Sequence, residues 1–277
     1  MSHPSKGIKP EPATARTDCY GEKDPYPYGW RDAPRILPDG EVKWERLPLT
    51  LEDILHPKIG DFRMHSEEHE RFCVYLYNVL TARLANDPTA VVLHDMRVAW
   101  AKPGPDAHGP DIAVIFNVQH RRNWKTFKEP EEGTKPSLII EVTSPNTRSV
   151  DLVDKVKEYE RAGVPLYVIV DIYELKGVSR RRLLGYQLTP DGYVPLDSNE
   201  RGWLWLEPAG VWLGLDGDNI ACYDEAGNWI EDYTSVTIAR AKAEERAAEA
   251  ETRAAEAEAR IRQLEAELRR LRNEENR

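Results

Sequence analysis

Two apolar runs, SLIIEVTS at 137–144 and PLYVIVDI at 165–172, constrain the fold more than any other part of the chain. Each is rich in β-branched residues and neither alternates cleanly, which is the pattern of strands covered on both faces. The segment between them, VDLVDKVKEYERAG, has helical spacing and ends on Gly163, a natural helix stop. A strand, a helix over Val150–Ala162 and a second strand predict a βαβ crossover with the two strands as parallel neighbours. One residue does not belong in this pattern. Glu141 stands mid-run between Ile140 and Val142, where an isolated ionised carboxylate would lose its hydration. The strand must either pair that acid internally or use it.

The remaining text divides in three. Residues 1–45 are rich in Pro, Gly and charge, show no period, and read as a flexible arm. Residues 46–235 carry the globular pattern. LTLEDILHP is a short helix capped by Thr50, and HSEEHERFCVYLYNVLTARLA is a longer one capped by Ser66. VVLHD, RVAWA and DIAVIF are strands, and RRLLGYQL, GYVPL, GWLWLE and VWLGL form an antiparallel meander after Asp171. The sum is an α/β fold with a mixed β-sheet and flanking helices.

Residues 236–277 repeat Val236, Arg240, Ala243, Ala247, Ala250, Ala254, Ala257, Ile261, Leu264, Leu268 and Leu271 in steps of four and three. That heptad seam predicts a C-terminal coiled-coil helix, with a parallel homodimer or another coiled-coil partner. The alternative is a single solvated helix held by Glu–Arg pairs.

Several classes fall away. A net charge of −10 does not suit a protein that coats polyanions. The three cysteines are odd in number and lack zinc-ligand spacing. No apolar run is long enough to cross a membrane, and MSHPSKGIKPEP lacks the core of a signal peptide, so a cytoplasmic protein is expected.

Strand period puts Ile139, Glu141 and Thr143 on one face. Asp111 follows Pro110, which cannot donate to a ladder, so this acid belongs at the mouth of its strand. Two carboxylates from adjacent strands suit one Mg²⁺, which takes few protein carboxylates and polarises a phosphate oxygen. Asp151, Lys155 and Tyr159 share a helical stripe, with Leu152 and Val156 on its buried side. Lys155 is thereby set at the boundary of the core.

In this order, Pro110-Asp111, EVTSP at 141–145 and D-L-x-x-K-x-x-x-Y-x-x-x-G-V from Asp151 to Val164 resemble the Uma-type restriction endonuclease family of the PD-(D/E)XK nuclease superfamily. The likeness spans roughly Leu47 to Ser235 and includes an early-helix histidine at His69. It implies a restriction-endonuclease-like core in which Asp111, Glu141 and the main-chain carbonyl of Val142 hold Mg²⁺ or Mn²⁺. It also implies hydrolysis of DNA phosphodiesters by an activated water. The superfamily's lysine two residues after the acid is replaced here by Thr143, and Lys155 on the next helix is its counterpart. His69 and Tyr159 are accessory candidates.

Plainer readings stand beside these. Glu141 could close a structural ion pair, Asp111 could open a turn, and Lys155 could be a surface partner of Asp151. Tyr159 could simply pack, and His69 could be a satisfied core histidine. Loop HRRNWKTFK offers Arg121, Arg122 and Lys125 to nucleic acid, or is an ordinary solvated loop; Arg180–Arg182 pose the same choice. A non-catalytic scaffold using the coiled coil to bind a partner is the alternative to a nuclease.

Overall fold

The computed structural model describes residues 24–275. In chain order the elements are β1 (Trp30–Ile36), β2 (Val42–Pro48), α1 (Leu51–Leu55), β3 (Asp61–Phe62), α2 (Glu67–Arg83), β4 (Val91–His94) and β5 (Val98–Ala99). They continue with β6 (Ile112–Ile115), β7 (Phe127–Lys128), α3 (Glu129–Glu132), β8 (Pro136–Val142), a π-helical turn (Val150–Asp154), α4 (Lys155–Ala162), β9 (Leu166–Leu175) and β10 (Val178–Thr189). The last are β11 (Gly192–Pro195), β12 (Leu204–Leu206), β13 (Val211–Asp216), β14 (Asn219–Tyr223) and α5 (Tyr233–Glu275).

The central sheet runs β11-β10-β9-β8-β6-β4. Its middle pair, β8 and β9, is parallel, with Leu138 opposite Leu166 and Val142 opposite Val170; its other pairs are antiparallel. Both strands of the parallel pair are buried on two faces, which is why neither alternates. Leu138, Ile140, Val168 and Val170 pack with Phe72, Leu76 and Leu80 of α2. Ile139, Tyr167 and Ile169 pack with Tyr159 and Ala162 of α4 on the opposite side. Each such side chain contributes about 1.5–3 kcal/mol on leaving water, so this two-sided core fixes the position of both helices.

Local signals act where expected. Thr50 and Asp53 form a reciprocal capping box at α1, and Ser66 Oγ accepts from the His69 amide at 3.2 Å. Gly163 ends α4 at φ 73°, a conformation that a side chain would oppose.

Three regions depart from the sequence reading. Residues 30–45, expected within a flexible arm, join residues 46–48 in an antiparallel ladder in which Trp30 faces Pro48 and Ile36 faces Val42. Ile36, Val42 and Trp44 are exposed, so no buried face imposed a period on this stretch. Residues 1–23 of that arm, Cys19 among them, lie outside the described residues; Cys73 and Cys222 are buried free thiols. The meander splits in two: β10 and β11 extend the central sheet beyond β9, whereas β12, β13 and β14 make a sheet of their own. The turn-rich segment 197–202 leads the chain off the sheet edge. Finally, the crossover helix opens with a π turn, and its buried face carries Asp151, Lys155 and Tyr159, whereas Leu152 and Val156 are only half-buried. The polar stripe is itself the core-facing side.

The chain divides into two compact units, Met1–Ile230 and Glu231–Arg277. The second contains α5, one unbroken helix laced by Arg240–Glu244, Glu249–Arg253 and Glu258–Arg262 pairs. Ile261, Leu264 and Leu268 of the heptad seam are exposed on it. No helix among the described residues is long and apolar enough to cross a membrane.

Candidate active site

The ladder between β6 and β8 ends with Ile112 opposite Ile140; carried one step further, the same register would put Asp111 level with Glu141. Another step would put Pro110 level with Val142. Proline has no N–H to return to the Val142 carbonyl, and the Val142 amide donates instead to Asp111 Oδ2 at 2.8 Å. The ladder therefore stops here and the two strand ends open a gap.

A cavity of about 410 Å³ occupies that gap. Asp111, Glu141, Val142, Thr143, Asp151 and Lys155 line it, and His69 reaches it from α2. The first turn of α4 brings Lys155 Nζ to 2.9 Å from both Glu141 Oε2 and Asp151 Oδ1. The Tyr159 hydroxyl, one turn on, donates to Glu141 Oε1 at 2.7 Å. His69 Nε2 lies 3.1 Å from Asp111 Oδ2, and the ring of His65 stacks on it at 4.2 Å. Five of the sequence candidates thus converge: Asp111, Glu141, Lys155, Tyr159 and His69, with Val142 supplying main-chain groups. Lys155 is only 2 % exposed, so its reading as a surface partner of Asp151 does not hold.

The three carboxylates do not share one electrostatic state. Burial pushes Glu141 up to about 8, with Asp111 and Asp151 adding to the effect and Lys155 opposing it. Burial also acts against charge on Asp111, yet the neighbouring His69 and Lys155, with the Val142 amide, hold it well below the usual carboxylate range. Asp151 is raised, again mainly by burial. Lys155 resists burial because Asp151, Glu141 and Asp111 surround it, and it stays a cation. The constellation is one fixed anion, one proton-holding acid and one fixed ammonium.

The loop residues Arg121, Arg122 and Lys125 are not brought to this cavity. Arg121 and Arg122 line a second one, where Arg121 donates to the Ala90 carbonyl, and Lys125 lines a third. Sequence reasoning missed Arg63, whose half-buried guanidinium binds Asp95 and the Gly109 carbonyl beside the site. It also missed Asp171, although that acid interrupts an apolar strand as Glu141 does.

Among the described residues, three groups of potential metal donors meet within 4.8 Å: His56–His108–Glu158, His65–His69–Glu70 and His69–Cys73–Asp111. In the first, Trp100 Nε1 donates to His108 Nδ1 at 2.7 Å, so the neutral ring carries its proton on Nε2 and gives it to Glu158 at 2.7 Å. Burial, which lowers His108 to about 4, keeps it neutral. That lone pair is spent, and the group is a hydrogen-bonded chain rather than an ion cage. In the third, burial keeps Cys73 a thiol, a poor ligand.

The donors that suit a hard divalent ion are oxygens. Asp111 Oδ2 is taken by His69 and Val142, while Oδ1 makes no hydrogen bond. Among the described residues, the fully buried side-chain polar atom without a partner is His56 Nδ1, so Asp111 Oδ1 has access to the cavity. With the Val142 carbonyl and a Glu141 oxygen shared with Lys155, it makes the small carboxylate set that Mg²⁺ or Mn²⁺ accepts.

The mixed sheet presents, at the adjacent ends of β6 and β8, an acid pair beside a lysine, the arrangement expected of a restriction-endonuclease-like core. The chain belongs to the Uma2 family, described as putative restriction endonuclease, which matches residues 62–218, more than half of its length. It is also similar to a solved structure described as a putative nuclease belonging to DUF820 from Anabaena variabilis. Identity there is 17%, the TM-score 0.35, and the match covers 54% of this chain and 90% of that one. No curated protein matches the chain.

Proposed function

We propose that the protein is a divalent-metal-dependent endonuclease that hydrolyses DNA phosphodiesters at the Asp111–Glu141 cavity. The observation that carries this reading is the meeting of Asp111, Glu141 and Lys155, from three separate elements, at one opening. Asp111, Glu141 and the carbonyl of Val142 are the groups that would hold Mg²⁺ or Mn²⁺, which when bound would supply Lewis-acid polarisation and make a bound water more acidic. His69 keeps Asp111 anionic and fixes which of its oxygens faces inward. Tyr159 fixes Glu141 from the opposite side, as a neighbour that orients a ligand does. Lys155 sets a permanent positive charge where negative charge accumulates on a phosphate under attack. Glu141, which burial pushes up to about 8, would release its proton to water on taking a cation.

The exposed seam of α5 supports pairing of two chains, which would bring two cavities to the two strands of a duplex. Sedimentation tests this directly: a monomer both with and without residues 236–277 defeats it.

One observation favours the scaffold alternative. Both Glu141 oxygens already have partners inside the chain, as a purely structural network would require. Plasmid nicking decides between the two. The nuclease nicks supercoiled DNA with Mg²⁺ or Mn²⁺, stops with EDTA, and is silent as Asp111→Ala. The scaffold nicks under no condition and takes up no metal that Glu141→Ala abolishes.

A further inference from the structure

Asp171 of β9 is fully buried, and two arginines serve it. Arg148 binds it through two bonds, Nε to Oδ1 at 2.6 Å and Nη2 to Oδ2 at 2.8 Å, which balances its charge. Arg182 of β10 then adds a third bond, Nε to Oδ2 at 2.7 Å, and with it a surplus positive charge. A buried acid needs one such partner, so the second calls for another explanation.

The two guanidiniums share more than the acid. Both lie over the ring of Tyr173, with centres 5.2 and 5.4 Å away, and Tyr173 lines the same cavity as Asp111 and Glu141. Their side chains remain 34 % and 48 % exposed. A guanidinium carries five N–H groups; here Arg148 spends two and Arg182 one. Among the described residues no other acceptor takes the remainder. The neighbouring Arg181 is different, tied to both Glu68 and Asp218. The pair is thus tied to one buried acid, net positive, rich in unspent donors and seated over a tyrosine that lines the opening.

We propose that Arg148 and Arg182, fixed in place by Asp171, grip the phosphate backbone of duplex DNA as it enters the cavity. The inference rests on the nuclease reading and assigns the surface that holds the substrate. Planar forks with free N–H groups match phosphate oxygens, and a buried carboxylate behind them removes the entropy of ordering two long side chains. The contact is to backbone and carries no base information.

The test is binding rather than cleavage. Affinity of the full chain for a labelled duplex is measured by fluorescence anisotropy in EDTA, over salt from about 50 to 200 mM. Each of Arg148→Gln and Arg182→Gln is expected to flatten the plot of log affinity against log salt by about 0.9. Arg182→Lys, which keeps the charge, restores the slope. The double substitution strands Asp171 and is avoided; if Arg148→Gln fails to fold, the two Arg182 variants decide alone. A purely structural role for the arginines leaves the slope unchanged, and that result, or no binding by the native chain, overturns the inference. Because no metal is present, the outcome is independent of nicking, which tests the reading beneath it.

Discussion

Glu141 and Asp171 are two acids buried in neighbouring parallel strands, each set in a run of Ile, Val and Leu, and they have been driven in opposite directions. Burial acts against charge on both. For Glu141 it prevails, because Asp111 and Asp151 crowd the site and Lys155 offsets them only in part, so this acid rises to about 8. For Asp171 it loses, because Arg148 and Arg182 bond directly to the carboxylate and hold it below its ordinary value. Equal burial therefore does not mean equal role. Asp171 is a permanent anion that fixes its neighbours, whereas Glu141 is poised between two protonation states beside an opening.

That contrast can be broken or sharpened by experiment. The largest effect is expected from Lys155→Met. It removes the cation that bonds Asp151 and faces the fixed anion Asp111, and should cost about 3–5 kcal/mol in urea unfolding at neutral pH, because a half-emptied buried pair is worse than none. A loss below about 1 kcal/mol would mean that the acids are neutral without it. Next, Glu141→Gln should lower metal-dependent plasmid nicking by about 10²- to 10³-fold while keeping the fold, the scale seen when one group stabilising the transition state is removed. Asp171→Asn should destabilise by only about 1–3 kcal/mol, since its half-exposed arginines can turn to water. If it matches Lys155→Met, the two acids are equivalent after all.

The two acids also predict opposite pH windows. Folded Glu141 keeps its proton up to about 8, whereas the unfolded side chain loses it near 4.5, so stability contributed here falls as pH rises across that window. Asp171 is depressed below its usual 3.8 and contributes stability above that value, which is lost as pH falls through its folded value. Thermal midpoints of native protein and Glu141→Gln should converge near pH 5 and diverge towards pH 8, with the variant higher. A parallel offset would remove the distinction. Smallest of all, deleting residues 236–277 should leave the urea-unfolding free energy of the unit ending at Ile230 unchanged within about 0.5 kcal/mol.

Much of this was legible before any coordinates. The parallel pair followed from two unalternating apolar runs joined by a helix, and Thr50, Ser66 and Gly163 marked element ends because backbone groups there need a partner or a left-handed turn. Glu141 identified itself by being charged in the wrong company, and Pro110 placed Asp111 at a strand mouth. What was not legible depended on contacts between distant residues. No spacing links positions 148, 171 and 182, yet they form one cluster. The argument that singled out Glu141 applies equally to Asp171 in PLYVIVDI and would have found it. The depth of Lys155 was hidden because helical period favours the apolar Leu152 and Val156 for the core, whereas the sheet face opposite already holds an acid that needs a cation. The hairpin at 30–48 left no trace because much of its apolar surface is bare.

The missing hydrogen on Pro110 reaches beyond a single bond. Since the sheet is unable to zip shut past this imino acid, the entrance to the site is built by the main chain and not by whichever side chains happen to border it. Exposed residues on that border, Met64 and Pro145 among them, can then alter what is admitted without closing the door.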